Sequence, residues 1–353
     1  MTTVTQGAVD GLAAGGGVLM ELSDEAAEFG RTALRALEAA GGDELAQTAE
    51  REPARRAELV VPVLDELGAW DLDPRGSADE LEAAAALCRA AGWWAVPYPV
   101  AERLCRPVGG GADALVVVAP AAPAAPVAGL DLRLAAVALD GRRYAATARE
   151  PDGPARKSAF VVSLDLAPLA GAIAGAPAGG DAGDEDGAGA DGAGDVALGM
   201  VLGCWTLLGM LDRAMVLTRT YILEREQFGQ PLARFQGVQF QLTDAEVERA
   251  GVAELAGYAL WSVETGRPEA VDDALALRLA AVEAAETVFR VTHQLHGAMG
   301  FCDETTLSWL SRYSQPLRRL PLGRSATQDA LASRLGRRGL AGIFGPNAVM
   351  GAG

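Results

Sequence analysis

The sequence predicts a multidomain, mainly α protein: an N-terminal helical domain, a small central β domain and a C-terminal four-helix bundle. Three observations carry this. Apolar residues recur at helical spacing between Ser23 and Cys105. Residues 107–172 break into short β-prone runs punctuated by Pro and Gly. From Leu198 onward, long helical periods are separated only by short turns, which is the pattern of a bundle. A chain of 353 residues has room for two or three domains and a large core.

Residues 1–20 are rich in Gly, Ala and Thr and are expected to be disordered, as is the tail 347–353. Within the helical domain, 21–106, Ala27, Leu34 and Leu37 mark a first helix that Gly41-Gly42 stops. Leu59, Val63, Leu64 and Leu67 mark a second, ending at Gly68. Ser77 with Glu80 three residues on is a capping box, opening a third helix through Leu81, Leu87 and Cys88. A short helix is expected over Val100 to Cys105. In the β domain, 107–172, the runs 114–118, 134–139, 143–147 and 159–163 read as strands, with Asp140-Gly141 as a hairpin turn. Residues 173–195 are almost wholly Gly, Ala, Pro and acid. They hold too little apolar surface to offset their ordering entropy and read as an acidic linker.

The bundle, 196–346, opens with a helix whose apolar side carries Leu202, Trp205, Leu208, Leu211, Met215 and Ile222 and which reaches about Gln227. A second is expected from Phe235 to Glu264, with Phe240, Leu242, Val247, Leu255 and Leu260 on its apolar side. A third runs from Glu269 to His296, followed by shorter helices near Thr305–Tyr313 and Ala326–Leu340.

A formal net charge of -17 argues against binding nucleic acid or an anionic membrane surface. Four scattered cysteines and two histidines make a metal site improbable. The apolar run Val196–Leu211 falls short of the roughly 20 residues a bilayer span needs, and the first residues lack a signal peptide's basic start. The expectation is a cytoplasmic protein.

Two stretches carry chemistry. Arg225-Glu-Gln-Phe-Gly-Gln-Pro-Leu232 closes the first bundle helix, and Gln294-Leu-His-Gly-Ala-Met-Gly-Phe301 closes the third. Taken alone, Arg225 fits a cation at a helix C-terminus with Gly229 as its cap, and the second stretch fits a Gly-rich turn. The second also fits backbone amides set against a phosphate. Together, with Phe235-Gln236 between them, they resemble the C-terminal helical domain of the acyl-CoA dehydrogenases. The rest of the chain follows only that family's domain order.

The resemblance implies FAD as cofactor, an acyl-CoA substrate and an electron-transfer flavoprotein as acceptor. It implies that Arg225, Gln227, Phe228 and Gln236 contact the FAD of a neighbouring subunit, and that Gln294, His296, Gly297 and Ala298 line its adenosine and pyrophosphate. A permanent cation suits a pyrophosphate. Ala298 departs from the family's usual Gly. The family's reaction needs a carboxylate base near the acyl α carbon, presented from one of two positions. Those positions are held here by Gly199 and Leu322, and neither is acidic. Asp195, the nearest acid, falls in the expected linker. The segments that hold the flavin ring in the β domain are missing too. The pattern resembles the base-less subunit of heteromeric α2β2 acyl-CoA dehydrogenases of steroid degradation, in which a paralogous subunit supplies base and ring pocket. A self-sufficient enzyme with a base elsewhere, and a helical scaffold without flavin, remain as alternatives.

Overall fold

The computed structural model describes residues 21–107, 111–149, 161–168 and 187–338. The two expected disordered ends and residues 173–186 lie outside them. The N-terminal part is helical as expected: α1 Asp24–Ala39, α2 Glu44–Arg51, α3 Arg56–Glu66, α4 Ala78–Trp93 and α5 Val100–Leu104. Ser23 and Ser77 cap α1 and α4, accepting from Ala26 N and Glu80 N at 3.3 Å. The capping box closes only in part. The Glu80 carboxylate accepts from Asp73 N rather than from the Ser77 amide.

Five strands follow: β1 Ala114–Val118, β2 Ala124–Ala125, β3 Leu134–Ala138, β4 Arg143–Ala148 and β5 Val162–Pro168. They form one mixed sheet in the order β1-β3-β4-β5-β2, with β1 and β3 parallel and the other pairs antiparallel. Asp140-Gly141 makes the turn between β3 and β4. Alternation along β1 sets the domain's place in the fold. Ala114, Val116 and Val118 enter the sheet's own core, while Leu115 and Val117 pack into the helical core that contains α6.

Helix α6 spans Gly187–Glu224, so the last residues of the expected linker belong to it. Asp195 explains the correction. It is 2% exposed and bound by Arg75 at 2.6 Å and by Arg143 Nε at 2.9 Å, joining α6 to the helical domain and to β4. An acid that reads as solvated in sequence is here a buried, doubly paired one. By length and hydropathy, Gly192–Glu224 could cross a membrane, but 78% of its apolar 18-residue window is buried against protein. A helix apolar on all sides is what a central core position requires.

Around α6 stand α7 Gln236–Glu264, α8 Ala270–His296, α9 Thr306–Arg319 and α10 Arg324–Arg338. The N-terminal helices share one continuous core with this bundle. Helix α4 crosses α6 at two glycines. A Cβ on Gly92 would lie 1.9 Å from Thr206 O, and one on Gly209 would lie 1.9 Å from Arg89 O. One sequence reading fails here: Phe240, Val247 and Leu255 do not face the core. They are 60%, 65% and 38% exposed, and Ala245, Val252, Ala256, Ala259 and Leu260 fill the inward face instead. Small inward residues let α7 lie close to its neighbours and leave the large apolar ones outside.

The crossing gives a contrast that urea denaturation will check. Gly92→Ala or Gly209→Ala must push two helix backbones apart, with an expected loss of about 3 kcal/mol or more. Gly203→Ala, on the same helix with nothing within 4 Å of its Cβ, is expected to stabilise by about 0.5–1 kcal/mol.

Candidate functional site

Helix α6 ends at Glu224, three residues before Gln227. The chain then forms a two-residue hairpin, β6 Glu226–Gln227 against β7 Gln230–Pro231. Leu232 N donates to Arg225 O at 2.8 Å and closes its base. Phe228 and Gly229 form the tip with φ of 52° and 79°. Both central residues being left-handed fits a turn matched to strand twist. Gly229 therefore serves a hairpin, not a helix cap. A left-handed phenylalanine is uncommon, and this one is 92% exposed with only an edge contact to Phe235 at 6.2 Å. Nothing among the described residues accounts for an aromatic ring there. Arg225, Gln227 and Gln236, the last opening α7 beside Phe235, are also exposed.

The second motif lies at the same end of the bundle. Tyr221, one turn before Arg225, stacks on His296 with ring centroids 4.4 Å apart and planes at 18°. The His296 ring turns inward, 8% exposed, with Nδ1 2.8 Å from Thr292 O, and burial lowers its pKa. It thus locks α6 to α8 instead of facing outward with its neighbours. Gln294, Gly297 and Ala298 are exposed. Gly297 ends α8 at φ 60°, and its Cβ position has nothing within 4 Å, so backbone is bared to whatever approaches. The two motifs therefore share one outward surface, with Met299 and Phe301 exposed beside them.

Of the positions expected to present a base, Gly199 lies on a cavity of about 60 Å³ between β1, the start of α6 and the end of α9, and Leu322 follows Pro321, which lines it. Gly199 lines it, and a Cβ there would meet Val117 Cγ2 at 2.7 Å. A side chain there would require Val117 to shift. At the other position the Leu322 carbonyl accepts from Arg278 Nη2 at 2.6 Å, with Nη1 on Leu317 O at 3.1 Å. Asp195 is held by its two arginines. The site nevertheless contains one carboxylate that sequence reasoning passed over. Glu102 of α5 lines this cavity and a neighbouring one of about 30 Å³. Burial raises its pKa from 4.5 to about 7, and among the described residues no cation pairs with it. No motif marks Glu102, because its surroundings come from three other segments.

Cys88, Cys105 and Cys204 are buried free thiols and Cys302 is half-buried. Among the described residues no three His, Cys, Asp or Glu side chains converge as a metal site would require.

Residues 198–332 match the family described as acyl-CoA dehydrogenase, C-terminal domain. The fold extends the likeness to nearly the whole chain. The ChsE4-ChsE5 complex from Mycobacterium tuberculosis superposes with a TM-score of 0.69 over 91% of this chain and 100% of that one, at 16% identity. The Tcur3481-Tcur3483 steroid ACAD gives 0.68 over 90% and 99%, at 18% identity. The chain has the acyl-CoA dehydrogenase fold, and its C-terminal bundle matches that family's C-terminal domain. Detectable sequence likeness is narrower. Acryloyl-CoA reductase (NADH) of Anaerotignum propionicum is 30% identical over 105 residues, 30% of this chain and 26% of that protein. The sequence match thus spans about a quarter of this curated relative's length.

Two measurements check the site's physics. Phe228→Asn relieves an exposed left-handed aromatic residue, so the isolated chain is expected to gain up to about 1 kcal/mol in chemical denaturation. For Glu102, a pKa higher in the folded chain means that folding binds a proton between pH 4.5 and about 7, so stability falls as pH rises through that window. Glu102→Gln removes this slope. The variant is expected to exceed the parent by up to about 3 kcal/mol at pH 8 and to match it near pH 4.

Proposed function

We propose that this chain is a subunit of an acyl-CoA dehydrogenase-family flavoprotein that lacks its own catalytic base and completes the FAD site of a paralogous subunit in a heteromeric, α2β2-type enzyme. The reaction of the assembly is α,β-dehydrogenation of an acyl-CoA thioester, FAD being the group that accepts the hydride.

One contrast carries the reading. The residues that family members use across a subunit boundary are kept and turned outward at Arg225, Gln227, Phe228, Gln236, Gln294 and Gly297, with Ala298 exposed beside them. The two positions from which family members present the base carry no acid: Gly199, whose Cβ position abuts Val117, and Leu322, whose carbonyl accepts from Arg278. The outward surface suits the far end of FAD. Arg225 offers a permanent charge to a pyrophosphate, bared backbone at Gly297 permits close approach, and Phe228 offers a ring to a partner. Ala298 adds a methyl where the family usually has none. The isoalloxazine end finds no matching segments here, because the stretches that hold the flavin ring in the family's β domain are missing from this sequence. His296 supports the surface by fixing α8 on Tyr221. Both superposed assemblies bear paired names, and one title calls its protein a steroid ACAD. A steroid-derived acyl-CoA is the substrate class this supports, with an electron-transfer flavoprotein as acceptor and a cytoplasmic setting.

A second reading has one observation in its favour: Glu102 lines the cavity that also includes Gly199 and Pro321, so a self-sufficient dehydrogenase would draw its base from α5.

Expression alone and with a neighbouring-gene acyl-CoA dehydrogenase paralogue separates these. The expected result is a colourless single chain and a yellow, active complex. Arg225→Ala should weaken FAD retention by the complex roughly tenfold to a hundredfold, and Glu102→Gln should leave its turnover unchanged. A yellow, active homo-oligomer inactivated by Glu102→Gln would establish the second reading instead. Absence of flavin in every preparation would leave a scaffold.

A further inference from the structure

Arg278 of α8 is a buried cation without a counter-anion. Its side chain is 5% exposed. Nη1 and Nη2 donate to the carbonyls of Leu317, at the end of α9, and Leu322, just beyond it, while Nε–H has no acceptor. Among the described residues no carboxylate pairs with it. A guanidinium keeps its charge near neutral pH, and a buried charge left unpaired is costly. Two carbonyl dipoles offset part of that cost. The rest has a place to be met, because Arg278 lines the cavity of about 60 Å³ that Gly199 and Pro321 also line.

The cavity limits what can neutralise the cation. Its space suits about two to four water molecules, or one molecule of that size. Leu115, Val117, Ala125, Met200 and Leu320 make much of its wall apolar. Among the described residues, the other ionisable side chain on it is Glu102. Burial raises the Glu102 pKa to about 7, so below that pH its carboxyl holds a proton that it can donate. A carboxylate has an oxygen for each of two donors, the Nε–H of Arg278 and the neutral acid, and charge-assisted hydrogen bonds of this kind are the strong ones. A short alkyl group suits the remaining wall.

We propose that this cavity binds a short monocarboxylate, of the size of formate or acetate, as the counter-anion of Arg278, with Glu102 as its second donor. Bound there, the anion neutralises the cation that holds Leu317 and Leu322, and it firms the joint between α9 and α10. The site stands apart from the shared-cofactor reading and survives or fails without it. Ionised Glu102 would set a second negative charge against the ligand, so binding takes up a proton above pH 7. The other groups near the site do not titrate between pH 6 and 8. Burial pushes the Cys88 thiol of α4 well up, Cys105 to about 12 and Cys204, beside Arg278, to about 11. Tyr98 and Tyr313, which line the neighbouring cavity with Glu102, are raised as well. The strands and α6 bring only apolar residues and glycine to the anion's cavity.

Isotope-labelled acetate titrated into the full chain at constant ionic strength, with the bound fraction read by NMR, tests this. One site is expected at pH 6, about tenfold weaker at pH 8, where about a tenth of Glu102 keeps its proton. Glu102→Gln offers an amide donor at both pH values and should bind acetate equally at each. Gly203 lines the cavity with nothing within 4 Å of its Cβ position, so Gly203→Val fills the space. That variant should lose acetate while circular dichroism shows it folded. Octanoate, too long for the cavity, should not displace acetate. Absence of binding at pH 6 overturns the proposal, as does binding that persists in a folded Gly203→Val chain. A Glu102→Gln chain with the parent's pH dependence overturns it too. Tighter binding of octanoate would make this an acyl-chain pocket, and displacement by equimolar chloride would make it a site for any monoanion; either result overturns the carboxylate assignment.

Discussion

Helix α6 packs against α4, α5, the sheet and the bundle helices α7, α8 and α9, and the architecture depends on how closely it is approached. Glycine makes that possible at four places. Gly92 and Gly209 bring the N-terminal helices to backbone contact with it. Gly192 sits against the β3–β4 turn, where a Cβ would lie 2.1 Å from Gly141 O. Gly199 meets Val117 of the sheet. The first three explain why helical domain, sheet and bundle share a framework. The fourth brings α6 against Val117 beside the cavity that Glu102 also lines. The same helix then delivers, at its far end, the hairpin that faces outward. Close packing at one end and presentation at the other are both consequences of where α6 lies.

Three buried or half-buried carboxylates fix that placement. Asp195 takes Arg75 and Arg143, Asp212 takes Arg89 and Arg249, and Asp43 takes Arg213 and Thr306. Such pairs add little net stability over apolar packing, but losing one partner leaves an uncompensated buried charge, so they hold register firmly. Glu102 and Arg278 contrast with them. Burial raises the pKa of the first to about 7, and the second gives its donors to two backbone carbonyls.

Much of the fold was legible in the sequence because it is written locally. Helix periods, the Ser23 and Ser77 caps and the Asp140-Gly141 turn depend on neighbours a few residues away. What was missed depends on distant ones. Asp195 reads as a linker acid until Arg75 and Arg143 are folded onto it. Phe240 and Val247 read as core until the small residues of α7 turn inward. Of the candidate site, Arg225, Gln227, Phe228, Gln236, Gln294, Gly297 and Ala298 do gather on one outward surface. His296 does not join them, because the Tyr221 ring that captures it comes from another helix. Glu102 carried no signal at all, since its character is made by the cavity around it.

The central claim is that this chain offers an outward half of a cofactor site and no inward one. Counting bound FAD in the purified complex with its paralogue tests it most directly. Flavin absorbance set against quantitative amino-acid analysis should give one FAD for every two chains, one of each kind. One FAD for every chain would contradict the account, because it would require this chain to hold an isoalloxazine ring without the family's ring-holding segments.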